Sequence, residues 1–324
     1  MRRYTARATT MQALVKYHGL RDWKLRLPYH DSISVNTTSM TTKATLTDPW
    51  SSHGVYIEGR YSESATRRLE PVIEKLTEGR TGEGFRIDSA NLPRINAKGL
   101  GYSSSAGAAL TLLCYRRVVG GEPDLEKLSR VARLFAASAA RSLVGGFSRL
   151  YAGESDDSSY ASRFADEKTM DLRMVIVPLP LKVRTEDAHR EVETSPFFEA
   201  RIRSAQKRCE EMEKAILGGD LKRVGELTEQ DTLELHAITM TGADRLLLMS
   251  EDSIRIIRKV REMRTDGLEA FFSMQTGPTV YINTSERHIE RVLRGVSRLG
   301  YRAYPSRVGG EARVTTEPTN VNNS

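Results

Sequence analysis

Lys16 and Arg141 stand in two short blocks whose residue types suit an anionic ligand. The first runs Ala13-Leu14-Val15-Lys16-Tyr17-His18-Gly19-Leu20-Arg21-Asp22 and continues through Leu27-Pro28 to Asp31-Ser32-Ile33-Ser34-Val35. The second is Ala140-Arg141-Ser142-Leu143-Val144-Gly145-Gly146-Phe147. A guanidinium offers a rigid fork of donors to phosphate or carboxylate, and an ammonium offers a point charge. Ala136, Ala137, Ala139 and Ala140 surround Arg141 in sequence, small residues that let a helix approach a ligand or a neighbour closely. A buried arginine there needs an anion. That anion is either a substrate or a structural acid such as Asp157 or Glu154. Lys16 alone also fits a side chain that snorkels to solvent. His236, in Leu235-His236-Ala237, reads as a packed helix residue.

Two further segments bear on the same chemistry. Gly99-Leu100-Gly101-Tyr102-Ser103-Ser104-Ser105-Ala106-Gly107 opens an apolar run. Backbone N–H groups at such a helix start cradle anions, although the same small residues also serve tight packing or a cap. Ser273-Met274-Gln275-Thr276-Gly277-Pro278 carries Gln275 where two strands meet. A glutamine cannot accept a proton at neutral pH.

The elements that must hold these blocks alternate in type. Residues 31–48 are rich in β-branched side chains and predict strands, with shorter ones at Tyr56-Ile57 and Phe85-Arg86-Ile87. Residues 63–79 place Ala65, Leu69, Val72, Ile73 and Leu76 on one helical face. Helices at about 125–142 and a strand at Met174–Val177 complete the first half. After Pro178-Leu179-Pro180 the pattern predicts helices at about 195–217, 220–237, 243–264 and 285–298, with strands at 271–274 and 279–282 around Gln275. The reading is an α+β protein of two domains, 1–178 and 179–312, with a disordered polar tail at 313–324.

Composition bounds the rest. The 324 residues are 28% charged and 39% hydrophobic, which fits a soluble globular chain long enough for two cores. No apolar run is long enough for a membrane span, and the basic N-terminus lacks the apolar core of a signal peptide. Cys114 and Cys209 provide neither a disulfide framework nor metal-ligand spacing, so no metal site and a reducing cytoplasm are expected. The net charge of +7 favours anionic ligands. Many of these charges alternate with acids, as in Lys207-Arg208 beside Glu210 and Glu211, and no basic stripe is interleaved with aromatics. Nucleic acid is therefore not expected as a partner.

Taken together and in order, the blocks resemble the diphosphomevalonate decarboxylases. Lys-Tyr-X-Gly-X-Arg-Asp followed by Leu-Pro and Ser-Ile-Ser-Val is similar to their N-terminal block, and Ala-X-Arg-Ser-Leu-X-Gly-Gly to their arginine block. Glu193-Thr194-Ser195-Pro196-Phe197-Phe198-Glu199-Ala200-Arg201-Ile202, Asp231 through His236-Ala237, and Thr276-Gly277-Pro278 continue the likeness to about residue 310. The resemblance implies the galactokinase, homoserine kinase, mevalonate kinase and phosphomevalonate kinase (GHMP) fold. Its N-terminal domain is ribosomal protein S5 domain 2-like, its C-terminal domain is ferredoxin-like, and a cleft lies between them. It also implies a homodimer acting on a phosphorylated mevalonate. Arg141 and Lys16 become the catalytic candidates. Tyr17, Ser138, Ser104, Ser105 and Arg184 become the substrate-binding ones. Arg184 lies near where the family holds the 5-phosphate, though a solvent-facing strand arginine would look the same.

The sequence departs from the family at telling places. Gln275 replaces the aspartate that assists the hydroxyl, and Leu20 replaces a lysine after the first glycine. The loop 93–107 is longer and carries Lys98 and Tyr102. Related mevalonate 3-kinases use a glutamate on the arginine helix, but that position here is Ala137. A kinase that activates a tertiary hydroxyl is poorly served by these changes. A substrate already phosphorylated at O3 needs no such activation. The resemblance thus points to an ATP-independent bisphosphomevalonate decarboxylase of the archaeal type, with no cofactor. Two alternatives stay open. One is an ATP- and Mg2+-dependent decarboxylase or mevalonate 3-kinase in which Asp31 or Asp22 has taken over. The other is an inactive paralogue that binds isoprenoid phosphates.

Overall fold

A computed structural model describes residues 2–80, 82–181 and 185–316. The chain begins with β1 (Arg2–Val15), which pairs antiparallel with β2 (Ser32–Trp50). β1 escaped the sequence reading because its inward positions are small: Ala6, Ala8 and Ala13 are buried yet add little hydrophobic signal. The pairing slips between Thr9 and Met11 and again between Ala13 and Val15. Such irregularities bend a strand and re-aim the residues beyond it, and here they precede Lys16 and Tyr17.

The chain continues through β3 (Gly54–Ile57), β4 (Arg60–Tyr61), α1 (Glu63–Thr77), β5 (Gly84–Leu92), α2 (Tyr102–Val118), α3 (Leu125–Phe135), α4 (Ala139–Val144), β6 (Phe147–Leu150) and β7 (Ala161–Ala165). The second half holds β8 (Arg173–Val177), α5 (Thr185–Glu191), a 3-10 turn at Val192–Thr194, α6 (Phe198–Leu217), α7 (Leu221–Met240) and α8 (Glu251–Thr265). It ends with β9 (Phe271–Met274), β10 (Val280–Thr284), α9 (Ile289–Ser297), β11 (Tyr304–Arg307) and β12 (Arg313–Thr316).

One sheet runs β12-β1-β2-β5-β3-β4, with β6 joined to β2 and β7 to β6. Leu46 and Ile87 of this sheet pack with Leu69 and Val72 of α1, Leu110 and Leu113 of α2, and Phe135 of α3. Gly107 lets α2 lie against α3 and α4. A Cβ there would come 2.6 Å from the Phe135 ring and 2.7 Å from the Ala139 methyl. The second sheet is fully antiparallel, in the order β11-β8-β10-β9. Its fourth strand lies beside its first, then the third, then the second, with helices between, which is the ferredoxin-like arrangement. Val175, Phe272 and Ile282 pack there against Ile256 and Val260 of α8 and Val292 of α9. Leu14, Ile33 and Val35 of the first sheet pack with Cys209, Met212, Val224 and Leu227 of α6 and α7. That helix pair therefore joins the two halves.

Four sequence expectations need correction. β8 was assigned to the first domain, but its hydrogen bonds go to β10 and β11, so it is the opening strand of the second sheet. The sequence pattern places residues 313–316 in the tail. They form β12 against β1, Ala6 opposite Val314, and satisfy the outer backbone groups of a strand that would otherwise be an open edge. Residues 317–324 lie outside the described residues. The helical stretch at 125–142 is broken by Ala136 in extended conformation, which separates α3 from α4. The helix expected from 243 starts only at Glu251. There Ser250 and Ser253 cap each other's backbone, while the preceding turn gives its Asp244 and Arg245 N–H groups to the Glu191 carboxylate. Cys114 and Cys209 are buried free thiols. Among the described residues no helix is long and apolar enough to cross a membrane.

Candidate active site

A cleft of about 490 Å³ opens where the end of β1, the start of α2, α4, α5 and the β9–β10 turn converge. Among the described residues five basic side chains line it, Lys16, Arg26, Arg68, Lys98 and Arg141. Among the described residues its one lining acid is Glu186, nearly half exposed and 3.8 Å from Arg26. Such a balance of charge selects a multiply anionic ligand.

Arg141 sits on α4 with 1% of its surface exposed. Its guanidinium lies 5.4 Å from the Tyr17 ring centre, and its Nε and Nη1 are buried without a hydrogen-bond partner. No carboxylate among the described residues pairs with it. Asp157, a sequence candidate, pairs with Arg130 instead, and Glu154 is exposed. Burial lowers the Arg141 pKa to about 10. A buried cation without a paired acid is costly and favours an anionic partner.

Lys16 also lines the cleft, but its ammonium is engaged from below. Its Nζ donates to Asp231 at 3.3 Å and to Thr232 at 3.1 Å. Asp231 on α7 receives the Lys16 backbone N–H as well, together with Arg201 at 2.6 Å and Arg208 at 3.2 Å. One carboxylate thus serves three cations. Its own pKa falls to about 2, because those cations outweigh the effect of burial. Lys16 is the loosely held member. Burial outweighs the attraction of Asp231, with Arg201 and Arg208 adding repulsion, and its pKa drops to about 8.

Tyr17 stacks on His189 with ring centres 5.3 Å apart. Burial raises its pKa despite the nearby Arg141, so the phenol stays protonated. Ser104, in the first turn of α2, donates to Ser138 at 2.7 Å, and both line the cleft. Ser105 does not. It points into the core, 2.7 Å from the Thr42 hydroxyl, because adjacent residues of a helix face different directions; its assignment to the substrate site is corrected. Arg184 lies outside the described residues.

Gln275 is where the site departs most from the expectation of an acid. Its Nε2 donates to the Met11 carbonyl at 3.2 Å, the Gly99 carbonyl at 3.1 Å and the Tyr281 hydroxyl at 3.2 Å. Its Oε1 accepts the Ala13 N–H at 3.3 Å. The surroundings therefore demand a donor as well as an acceptor, and a carboxylate would face two backbone carbonyls. Leu20 and Ala137 lie together in one apolar cluster with Ala140 and Val144, and both line the same cleft. The three altered positions are thus walls of one cavity. Asp31 and Asp22 are not in it. Asp31 is bound by Arg149 at 2.6 Å, and Asp22 accepts the Leu25 N–H at 2.7 Å.

Among the lining residues that sequence reasoning missed are Arg68, Arg26, Trp23 and His189. Arg68 reads as a solvated helix charge, yet its guanidinium turns inward to the Phe135 carbonyl and the Ser103 hydroxyl. Arg26, Trp23 and His189 stand in segments without periodicity. The clustering of Trp23 and Arg26 just after the Lys16 block was the one available signal.

The N-terminal domain model of the diphosphomevalonate decarboxylase-like proteins matches residues 8–161, and the C-terminal domain model of the mevalonate 5-diphosphate decarboxylases matches residues 183–319. The chain belongs to this family. Family relatives include a phosphomevalonate decarboxylase of Haloferax volcanii, 35% identical over 97% of this chain and 98% of its own. The human diphosphomevalonate decarboxylase is 28% identical over 90% of this chain and 79% of its own. Among solved structures, the mevalonate diphosphate decarboxylase of Staphylococcus aureus superposes with a TM-score of 0.86 at 27% identity, covering 97% of this chain and 98% of that one. The Enterococcus faecalis protein shares the fold with a TM-score of 0.88 at 24% identity, covering 98% and 99%. The family is one of mevalonate-pathway decarboxylases, and the described residues share its fold.

Proposed function

We propose that this protein decarboxylates mevalonate 3,5-bisphosphate without ATP, releasing phosphate and carbon dioxide and leaving isopentenyl phosphate. The observation that carries this reading is the setting of Gln275. The amide occupies its place as a donor to two carbonyls, so the position offers no base for a hydroxyl. A substrate that arrives with O3 phosphorylated needs none. The C3–O bond breaks with its electron pair leaving on phosphate. The C1–C2 pair forms the new C2–C3 double bond as carbon dioxide departs. The protein must then stabilise negative charge on the leaving phosphate. Arg141, charged and without an acid partner among the described residues, is the group we assign to an anionic part of this substrate. Leu20 and Ala137 give their part of the cleft wall no polar side chain to hold water.

A second reading rests on Lys16. An amine with its pKa near 8 exchanges a proton close to neutrality, so it could serve a hydroxyl in an ATP-dependent reaction on mevalonate 5-phosphate. The Haloferax relative is named a phosphomevalonate decarboxylase, which favours a phosphomevalonate as substrate. One incubation separates the two. Mevalonate 3,5-bisphosphate without ATP should yield isopentenyl phosphate and inorganic phosphate. Strict dependence on ATP, with turnover of mevalonate 5-phosphate, would replace the first reading by the second.

A further inference from the structure

His189 on α5 lines the cleft beside Tyr17 and is not among the residues that the sequence singled out. Its ring is fixed from behind. The Gly19 N–H donates to His189 Nδ1 at 3.2 Å. A backbone N–H can only donate, so the Nδ1 lone pair is taken and the neutral ring carries its proton on Nε2. Gly19 is itself constrained to be glycine. Its φ is +80°, and a Cβ there would lie 2.8 Å from the Phe198 ring. Those features bring its N–H to the histidine. Among the described residues no acceptor meets Nε2. Tyr17 links this ring to Arg141, stacking on His189 with a 15° tilt while the guanidinium lies 5.4 Å from its ring centre.

We propose that His189 Nε2–H donates a hydrogen bond to an anionic group of the substrate, making His189 a substrate-binding residue of this cleft. The inference rests on the functional reading only in taking an anionic mevalonate phosphate as ligand; it holds whether or not ATP takes part. Burial and the neighbouring Arg26 bring the histidine's pKa down to about 4. Of the other charged or titratable groups nearby, His18 lies 4.4 Å away between ring centres, and Glu186 is held by Arg26. The ring is therefore neutral at working pH. It adds a donor to a cleft already crowded with cations without adding another charge. It is also no substitute for the missing base, since its free nitrogen holds a proton and its basic one is occupied.

The test uses binding without turnover. Imidazole nitrogen and proton resonances of the whole protein are followed while mevalonate 5-phosphate is added, and affinity is measured by calorimetry for the wild type, His189→Gln and His189→Leu. The Nε2–H tautomer should be present in the free protein, and its proton signal should move downfield on saturation. His189→Leu should weaken binding about 10- to 100-fold, the usual range for one hydrogen bond to a charged group. His189→Gln, which retains a side-chain N–H, should recover part of that loss. Wild-type-like affinity in His189→Leu overturns the assignment and leaves the decarboxylase reading intact. If that variant fails to fold, an unmoved Nε2–H signal in the saturated wild type overturns it equally. Failure of the wild type to bind either mevalonate 5-phosphate or mevalonate 3,5-bisphosphate overturns both.

Discussion

Arg141→Met removes a buried cation that no described acid balances, and it should make the ligand-free protein more stable while nearly abolishing its activity. The guanidinium is brought down to about 10 chiefly by burial, with Tyr17 and Cys209 opposing that effect weakly. The fall from the ordinary arginine value corresponds to about 3 kcal/mol against the charged form. Two of its nitrogens also lack hydrogen-bond partners, which adds to the same cost. Methionine keeps much of the stem and its packing, so the expected gain is about 1–3 kcal/mol. For a chain of this length that is roughly 2–5 °C in Tm. The sign of the pH dependence follows from the direction. A base whose folded pKa lies below its unfolded one costs stability at every pH below about 10. The gain should therefore be the same at pH 6 and pH 8. Activity moves the other way, because losing one charge-assisted contact of a buried guanidinium costs about 2–5 kcal/mol, or roughly 30- to 4,000-fold in turnover. Arg141→Lys keeps the charge but loses the fork, and should also fall steeply. Calorimetric Tm and turnover are measured on the same preparations, with and without saturating phosphate. A midpoint that drops, with turnover near normal, would mean that Arg141 is a core ion-pair residue and would remove it from the site. A broken buried pair typically costs about 3–5 kcal/mol, so the two outcomes differ in sign.

Gln275→Glu puts a carboxylate against the Met11 and Gly99 carbonyls. It should cost about 1–3 kcal/mol in urea denaturation at pH 8 and should not create ATP-dependent phosphorylation of mevalonate; appearance of that activity would show that the acid alone was missing. His18, His30 and His236 are buried, and desolvation lowers their pKa, to about 4 for His30 and about 3 for His236. The unfolded chain therefore binds more protons below about pH 6.5. Stability should be full above that pH and should fall by roughly 1.4 kcal/mol per pH unit per histidine as the pH drops towards 4; a flat profile from pH 6.5 to 5 would contradict this. Family likeness suggests a homodimer, and light scattering at micromolar concentration that finds only a 36.3 kDa particle would count against it.

The amino-acid sequence by itself determined the family, the α+β class and the candidate cations Lys16 and Arg141, because those rest on ordered local blocks. It also displayed the altered positions Leu20, Ala137 and Gln275, although not that they share a cavity. Strand β1 was invisible because alanine and threonine bury little apolar surface, and β12 because four residues form a strand only when a partner edge is available. The second-sheet membership of β8 was likewise undecidable, since the apolar run Met174–Val177 does not say which neighbours it will pair with. Tertiary structure alone decided the orientation of each polar side chain. It turned Ser104 into the cleft and Ser105 into the core, one residue apart on a helix. It left Arg141 without a described acid while giving Asp231 three cations. It also placed His189 beside Tyr17, 170 residues from the glycine whose N–H fixes its tautomer. Periodicity reports which face of an element is buried. Which polar atoms meet within that burial depends on residues brought together from distant parts of the chain, and no local pattern records it.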